Sequence, residues 1–230
     1  MKQISSKKIL ILLSMLFIFQ CSGKKTENTG EWKYKIFING NHAGTALVKI
    51  SLNGNNYKHE LEMETITGNL KNTVKRTLVE TKDYKPVSLE ILNKIISSND
   101  IHEIKTSAYA KDDGVEVIFD NKKNFIPIET PFMFDGLYST AELKKMRFKK
   151  GGLIRSRIYD PQIDIESSVI LNTAVSEKKK FTFRGKEIEL YHVLQYINSH
   201  KTTELHMDPS GTIYKSRTTM LNYTMEMILE

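Results

Sequence analysis

A thiol nucleophile needs a thiolate with a histidine in reach, and this chain of 230 residues holds one cysteine, Cys21. Cys21 ends an apolar run near the N-terminus, so thiol catalysis by the folded domain is excluded, as is any disulfide within the chain. The six histidines, His42, His59, His102, His192, His200 and His206, are scattered. A zinc site needs three or four converging ligands, and no local spacing implies one, so no metal is assigned. His59 and His192 fall among apolar residues of alternating segments, where half-buried, hydrogen-bonded imidazoles are expected. Asp160, Asp164 and Glu166 have calcium-like spacing but lack the glycine and closing glutamate of an EF-hand loop; a solvated strand face is expected. No G-x-S-x-G, phosphate-cradling G-x-x-x-x-G-K-[ST] or H-E-x-x-H occurs. No catalytic residue and no cofactor are therefore assigned. Two carboxylates brought together from distant strands stay open as a route to glycoside hydrolysis.

The most charged feature of the folded part is K-K-M-R-F-K-K, with Lys144, Lys145, Arg147, Lys149 and Lys150. Cations at a helix C-terminus complement its dipole by about 0.3–1 kcal/mol each, which accounts for much of the cluster. Its functional reading is contact with an anionic surface, such as lipid head groups or acidic glycans.

The elements that position these residues begin with an export signal. Lys2, Lys7 and Lys8 precede an apolar run over 9–19. That run is too short for a membrane span, which needs about 20 residues, but suits the core of a signal segment over 1–23. With Ile18 upstream and Ser22-Gly23 following, the segment resembles a bacterial lipoprotein signal, which implies a diacylglyceryl group on Cys21. Phe19 and Gln20 stand where small residues are usual. Cleavage after Gly23 is the alternative, giving a soluble secreted protein. The expectation is an exported, membrane-anchored lipoprotein of the cell envelope, on a periplasmic or outer-membrane face. Without the three signal lysines, 31 basic side chains remain against 27 acidic, a charge of about +4. That balance and export argue against a nucleic-acid partner.

Residues 24–31 are polar and read as a tether. From Trp32 onward the period is two. Trp32, Tyr34, Ile36 and Ile38 share one strand face; Ala46, Val48, Ile50 and Leu52 a second; Tyr57, His59, Leu61 and Met63 a third. Asn39-Gly40 and Asn53-Gly54 turn the chain between them. Further strands are expected over 73–81, 87–96, 101–110, 115–119, 153–160, 166–176, 179–184, 187–199, 202–207, 213–219 and 223–229. The segment 125–134, with Pro127 and Pro131, is excluded from a central strand and should cross an edge. Ser139 and Glu142 form a capping box, and Tyr138 can pack on Leu143, which predicts a helix over 140–147. The fold class expected over 32–230 is one all-β, mainly antiparallel domain: a twisted, partly open β-barrel or sandwich with one short helix.

The pattern F-R-G-K-E-I-E-L-Y-H-V followed by H-M-D-P-S-G-T-I-Y-K-S, with the opening W-K-Y-K-I-F-I-N-G-N and the later D-G-L-Y-S-T-A-E-L, resembles exported proteins of the DUF3108 type. It is also similar to the β-domain that precedes bacterial transglutaminase-like domains. The resemblance implies an envelope β-barrel or sandwich and no reaction. Three functions follow as expectations. The first is a non-enzymatic envelope lipoprotein binding a lipid, glycan or envelope protein, which asks for an apolar cavity. The second is a scaffold or assembly module, which asks for an exposed apolar patch. The third is a carboxylate-dependent hydrolase, which asks for two close acids with perturbed pKa values.

Overall fold

A computed structural model describes residues 29–98, 100–135, 143, 147–197, 201–221 and 223–230. Its strands are β1 (Gly30–Ile38), β2 (Asn41–Asn53), β3 (Asn56–Thr67), β4 (Leu70–Thr81), β5 (Pro86–Ile96), β6 (Ile101–Lys111), β7 (Gly114–Phe119) and β8 (Lys122–Pro127). The chain continues with β9 (Met133–Phe134), β10 (Leu153–Tyr159), β11 (Val169–Phe183), β12 (Lys186–Ile197), β13 (Lys201–Met207), β14 (Ile213–Met220) and β15 (Tyr223–Leu229).

All of them join one sheet, in the order β8-β7-β6-β5-β4-β3-β2-β1-β15-β14-β13-β12-β11-β10-β9. Short turns make nearly every pairing antiparallel. At Asn39-Gly40 (φ 48° and 82°) and Arg184-Gly185 (φ 49° and 75°) both turn residues are left-handed, the conformation whose twist matches the strands it joins. The exception is β9, which runs parallel to β10. The chain starts mid-sheet, meanders out to the β8 edge, and crosses through 128–132 to β9 at the opposite edge. Pro127 ends the edge strand β8, where a missing N–H costs the ladder nothing. β9 packs against β5, so the sheet curls over on itself. The result is a twisted, partly open barrel.

Alternation sends one face of this sheet inward. Ile36 and Val193 are fully buried on it, and Val74, Leu89, Val117, Phe134 and Tyr159 share one cluster. Trp32, Tyr34, Ile36 and Met227 form another, and Val175, Val193, Leu205 and Met207 pack with Leu143 and Phe148 in a third. Burial of such side chains contributes roughly 1.5–3 kcal/mol each, and without a disulfide it carries the fold.

Two expectations change, and a third lies mostly outside the described residues. The separate strands over 166–176 and 179–184 are a single strand, β11, with a bulge between Val175 and Lys178 that absorbs the break in alternation. The solvated strand face expected at Asp160–Asp164–Glu166 is a loop, because Asp164 Oδ1 accepts from the N–H of Glu166 (2.9 Å) and Ser167 (3.2 Å), bending the backbone out of the ladder. Of the expected helix, Leu143 is helical, and the Phe148 N–H closes on the Leu143 carbonyl at 2.9 Å. Tyr138, Ser139 and Glu142 lie outside the described residues.

Candidate functional site

Register assembles a pocket from the first half of the barrel. Trp32 and Tyr34 on β1, Val48 and Ile50 on β2, Tyr57, His59 and Leu61 on β3, and Arg76, Leu78 and Glu80 on β4 share its wall, and Phe134 and Asp135 come from the opposite edge. The cavity measures about 110 Å³. It lies at the end of the barrel where β1 begins, since Gly30 pairs with Ile50 and Tyr57 with Glu80. Tyr84 stacks on Tyr57 at 5.6 Å, and the Tyr34 hydroxyl donates to the Ile213 carbonyl at 3.0 Å, fixing the β13–β14 turn against the wall.

Two polar pairs interrupt the apolar lining. Arg76 Nη1 lies 2.5 Å from Asp135 Oδ2, with the Asp135 side chain only 4% exposed. His59 Nε2 lies 2.8 Å from Glu80 Oε1. Asp135 Oδ1 is buried and accepts no hydrogen bond from the described residues, a condition that costs roughly 1–3 kcal/mol. Burial pushes the Asp135 carboxyl up to about 7, helped by Asp160 and opposed by Arg76, Lys201 and His59. The pocket thus offers an apolar wall with Asp135 at its margin, whose Oδ1, covered from solvent, has hydrogen-bonding capacity to spare.

A second constellation lies on β12 and β13. His192 pairs directly with His206, and Glu204 precedes His206 by two residues on the same face. This face is opposite to the one carrying Val193 and Leu205. The two imidazoles stack at 5.1 Å with planes 30° apart, and one ligand atom from each of the three side chains lies within 4.8 Å of the others. Burial lowers the pKa of both rings, that of His206 to about 4, with Lys179 adding to each, and with His192 and Lys215 adding for His206. Both nitrogens of His192 and Nδ1 of His206 are buried without a hydrogen bond among the described residues.

The residues singled out in the sequence are dispersed. Cys21, Lys144, Lys145 and His200 lie outside the described residues. Arg147, Lys149 and Lys150 are exposed, and Lys150 pairs with Glu177 at 3.2 Å. Asp160 is buried and its Oδ1 accepts from the Gln162 N–H at 2.9 Å, so with Asp164 it builds the loop. Hydrogen-bonded imidazoles were expected at His59 and His192, but His59 Nε2 only approaches Glu80 at 2.8 Å without hydrogen-bond geometry, and neither nitrogen of His192 has a hydrogen bond among the described residues. Arg76 and Asp135 were missed. Arg76 carried a signal, a charge on the inward phase of Val74–Arg76–Leu78. At the barrel end away from Gly30, the hairpin tips expose Ile66, Leu70, Ile101, Met220 and Leu221, the kind of apolar surface an assembly module offers.

No protein-family model and no curated protein matches the chain. Among solved structures it is similar to a β-barrel-like protein of the domain of unknown function DUF1849 from Brucella abortus. That likeness has a TM-score of 0.64 at 11% identity, covering 87% of this chain and 95% of the other. A DUF1089 family protein from Pseudomonas aeruginosa aligns at a TM-score of 0.40 and 12% identity, over 74% of this chain and 87% of that one. The DUF1849 likeness concerns the fold, and it is the β-barrel-like fold that the alternation implied.

Proposed function

We propose that the protein is a non-enzymatic binding domain of the cell envelope, held to a membrane through Cys21, whose barrel takes a compact apolar group carrying one polar atom, as part of a lipid. The supporting observation is the pocket, an apolar, aromatic wall with Asp135 among its lining residues, whose Oδ1 accepts no hydrogen bond from the described residues. Size limits the ligand. A cavity of about 110 Å³ is smaller than the ~150 Å³ that holds a benzene and below the ~300–1,000 Å³ of drug-sized sites. It therefore accepts a short segment and not a whole diacyl lipid. A glycan fits the wall less well, because sugar hydroxyls would lose hydration against Val48, Ile50 and Leu61 without new partners.

Position supports the membrane part of the reading. β1 begins at Gly30, inside the stretch expected to be a tether, and the pocket lies at the end where β1 begins, so the segment from Cys21 joins the barrel there. An anchor on Cys21 would hold that end toward the bilayer. The carboxylate-hydrolase reading draws on the same Asp135, but Arg76 occupies one of its oxygens, and Glu80 faces His59. Each acid thereby already has a nitrogen partner at close range.

Trp32 is the chain's single tryptophan and it lines the pocket, so occupancy is read directly from its emission. Titration with 1-butanol, small enough for the cavity, is expected to shift that emission saturably. A response that only follows bulk solvent would overturn the proposal.

A further inference from the structure

We propose that His192, His206 and Glu204 form a binding site for one divalent transition-metal ion per chain, separate from the barrel pocket and on the opposite face of the sheet. Imidazole and carboxylate are the donor set that borderline ions such as zinc accept. Two histidines and one glutamate leave a fourth position for water or another ligand.

The β12–β13 ladder provides the preorganisation. It fixes His192 directly opposite His206, with Glu204 on the same face two residues away. Zinc–nitrogen bonds of about 2.0–2.1 Å in tetrahedral geometry put ligand atoms roughly 3.4 Å apart. The three side chains already bring theirs within 4.8 Å, and His192 Nε2 is 3.9 Å from Glu204 Oε2. Rotation of His206 and Glu204, both half-buried, closes the remainder while the buried His192 stays in place.

Satisfaction of the buried nitrogens is the second argument. His192 is 6% exposed, and among the described residues neither of its ring nitrogens has a hydrogen bond, nor has Nδ1 of His206. An imidazole packed only for its apolar body would ordinarily direct at least one nitrogen to a partner. A metal ion would engage one nitrogen from each ring. Lys179 and Lys215 oppose a cation here, although Lys215 is partly neutralised by Glu226 at 3.2 Å.

The test is calorimetric titration of the full, untagged chain, purified in detergent and stripped with EDTA, using zinc alone as the probe. Saturable binding of one ion per chain at about 100 µM or tighter is expected. His206→Gln and Glu204→Gln should each weaken it about tenfold or more. Their zinc-free thermal midpoints should stay near that of the wild type, which separates loss of a ligand from loss of the fold. A His42→Gln/His102→Gln/His200→Gln variant should bind as the wild type does. No saturable binding, or binding unchanged in both His206→Gln and Glu204→Gln, would overturn the site.

Discussion

Asp135 holds one oxygen on Arg76, and its other, buried oxygen has no hydrogen bond among the described residues. Burial raises its pKa to about 7, against about 3.9 in an unfolded chain. The folded state then binds the proton more tightly than the unfolded state. The group's contribution to stability is therefore fully present below about pH 4 and is lost as pH rises to about 7. His206, with its pKa lowered to about 4, works in the opposite sense over much of this window, so the wild-type profile alone would mix the two. The difference between wild type and Asp135→Asn isolates the carboxyl. The wild type's urea midpoint should fall relative to the variant's from pH 4 to 7, and parallel profiles would contradict the assignment. Much of the pocket wall was legible in the sequence, since alternation alone puts Trp32, Tyr34, Tyr57, His59 and Leu61 inward. Asp135 was not, because it follows the proline-bounded crossing, where no period assigns a side. His206 and His192 were not, because their meeting depends on the register of two strands and not on local spacing.

At the scale of elements, close approach between strands decides which residues are tolerated. In β2, Gly44 lies against β3 so closely that an added Cβ would stand 1.9 Å from the Glu64 carbonyl oxygen. That oxygen belongs to the backbone, so relief requires moving a strand in mid-sheet. Gly44→Ala is expected to destabilise the domain by about 2 kcal/mol or more, lowering the thermal midpoint by roughly 4–8 °C. Gly54→Asn is the contrast. Its φ is +60° with open space around it, and asparagine tolerates that conformation, so its midpoint should stay close to the wild type's. Equal midpoints for both variants would show that β2 and β3 have room to part. The hairpins were readable because Asn-Gly turns announce themselves between alternating runs. The unity of β11 was not, since the bulge after Val175 breaks the period and reads as two strands.

For the molecule as a whole, alternation with short turns implied an antiparallel meander, and the single curled sheet follows from it. Its closure was less legible. Which edge the 128–132 crossing reaches depends on the accumulated twist of the strands between, and that twist leaves no residue pattern. The barrel has unlike ends: the pocket at the end that receives the N-terminal segment, and exposed Ile101 and Leu221 at the other. In the account proposed here, a lipid on Cys21 turns the pocket end to the membrane. Cys21→Ala should move the protein from the membrane pellet to the soluble fraction of fractionated cells; unchanged partitioning would remove the anchor.

The central claim is occupancy of the pocket, and Trp32 emission during titration with 1-butanol tests it most directly. The wild type should show a saturable shift. Val48→Phe, which fills the space beside Trp32, should abolish it, and Asp135→Asn should weaken it through the altered hydrogen-bonding group. An unsaturable response, or the same saturable response in Val48→Phe, would contradict the account.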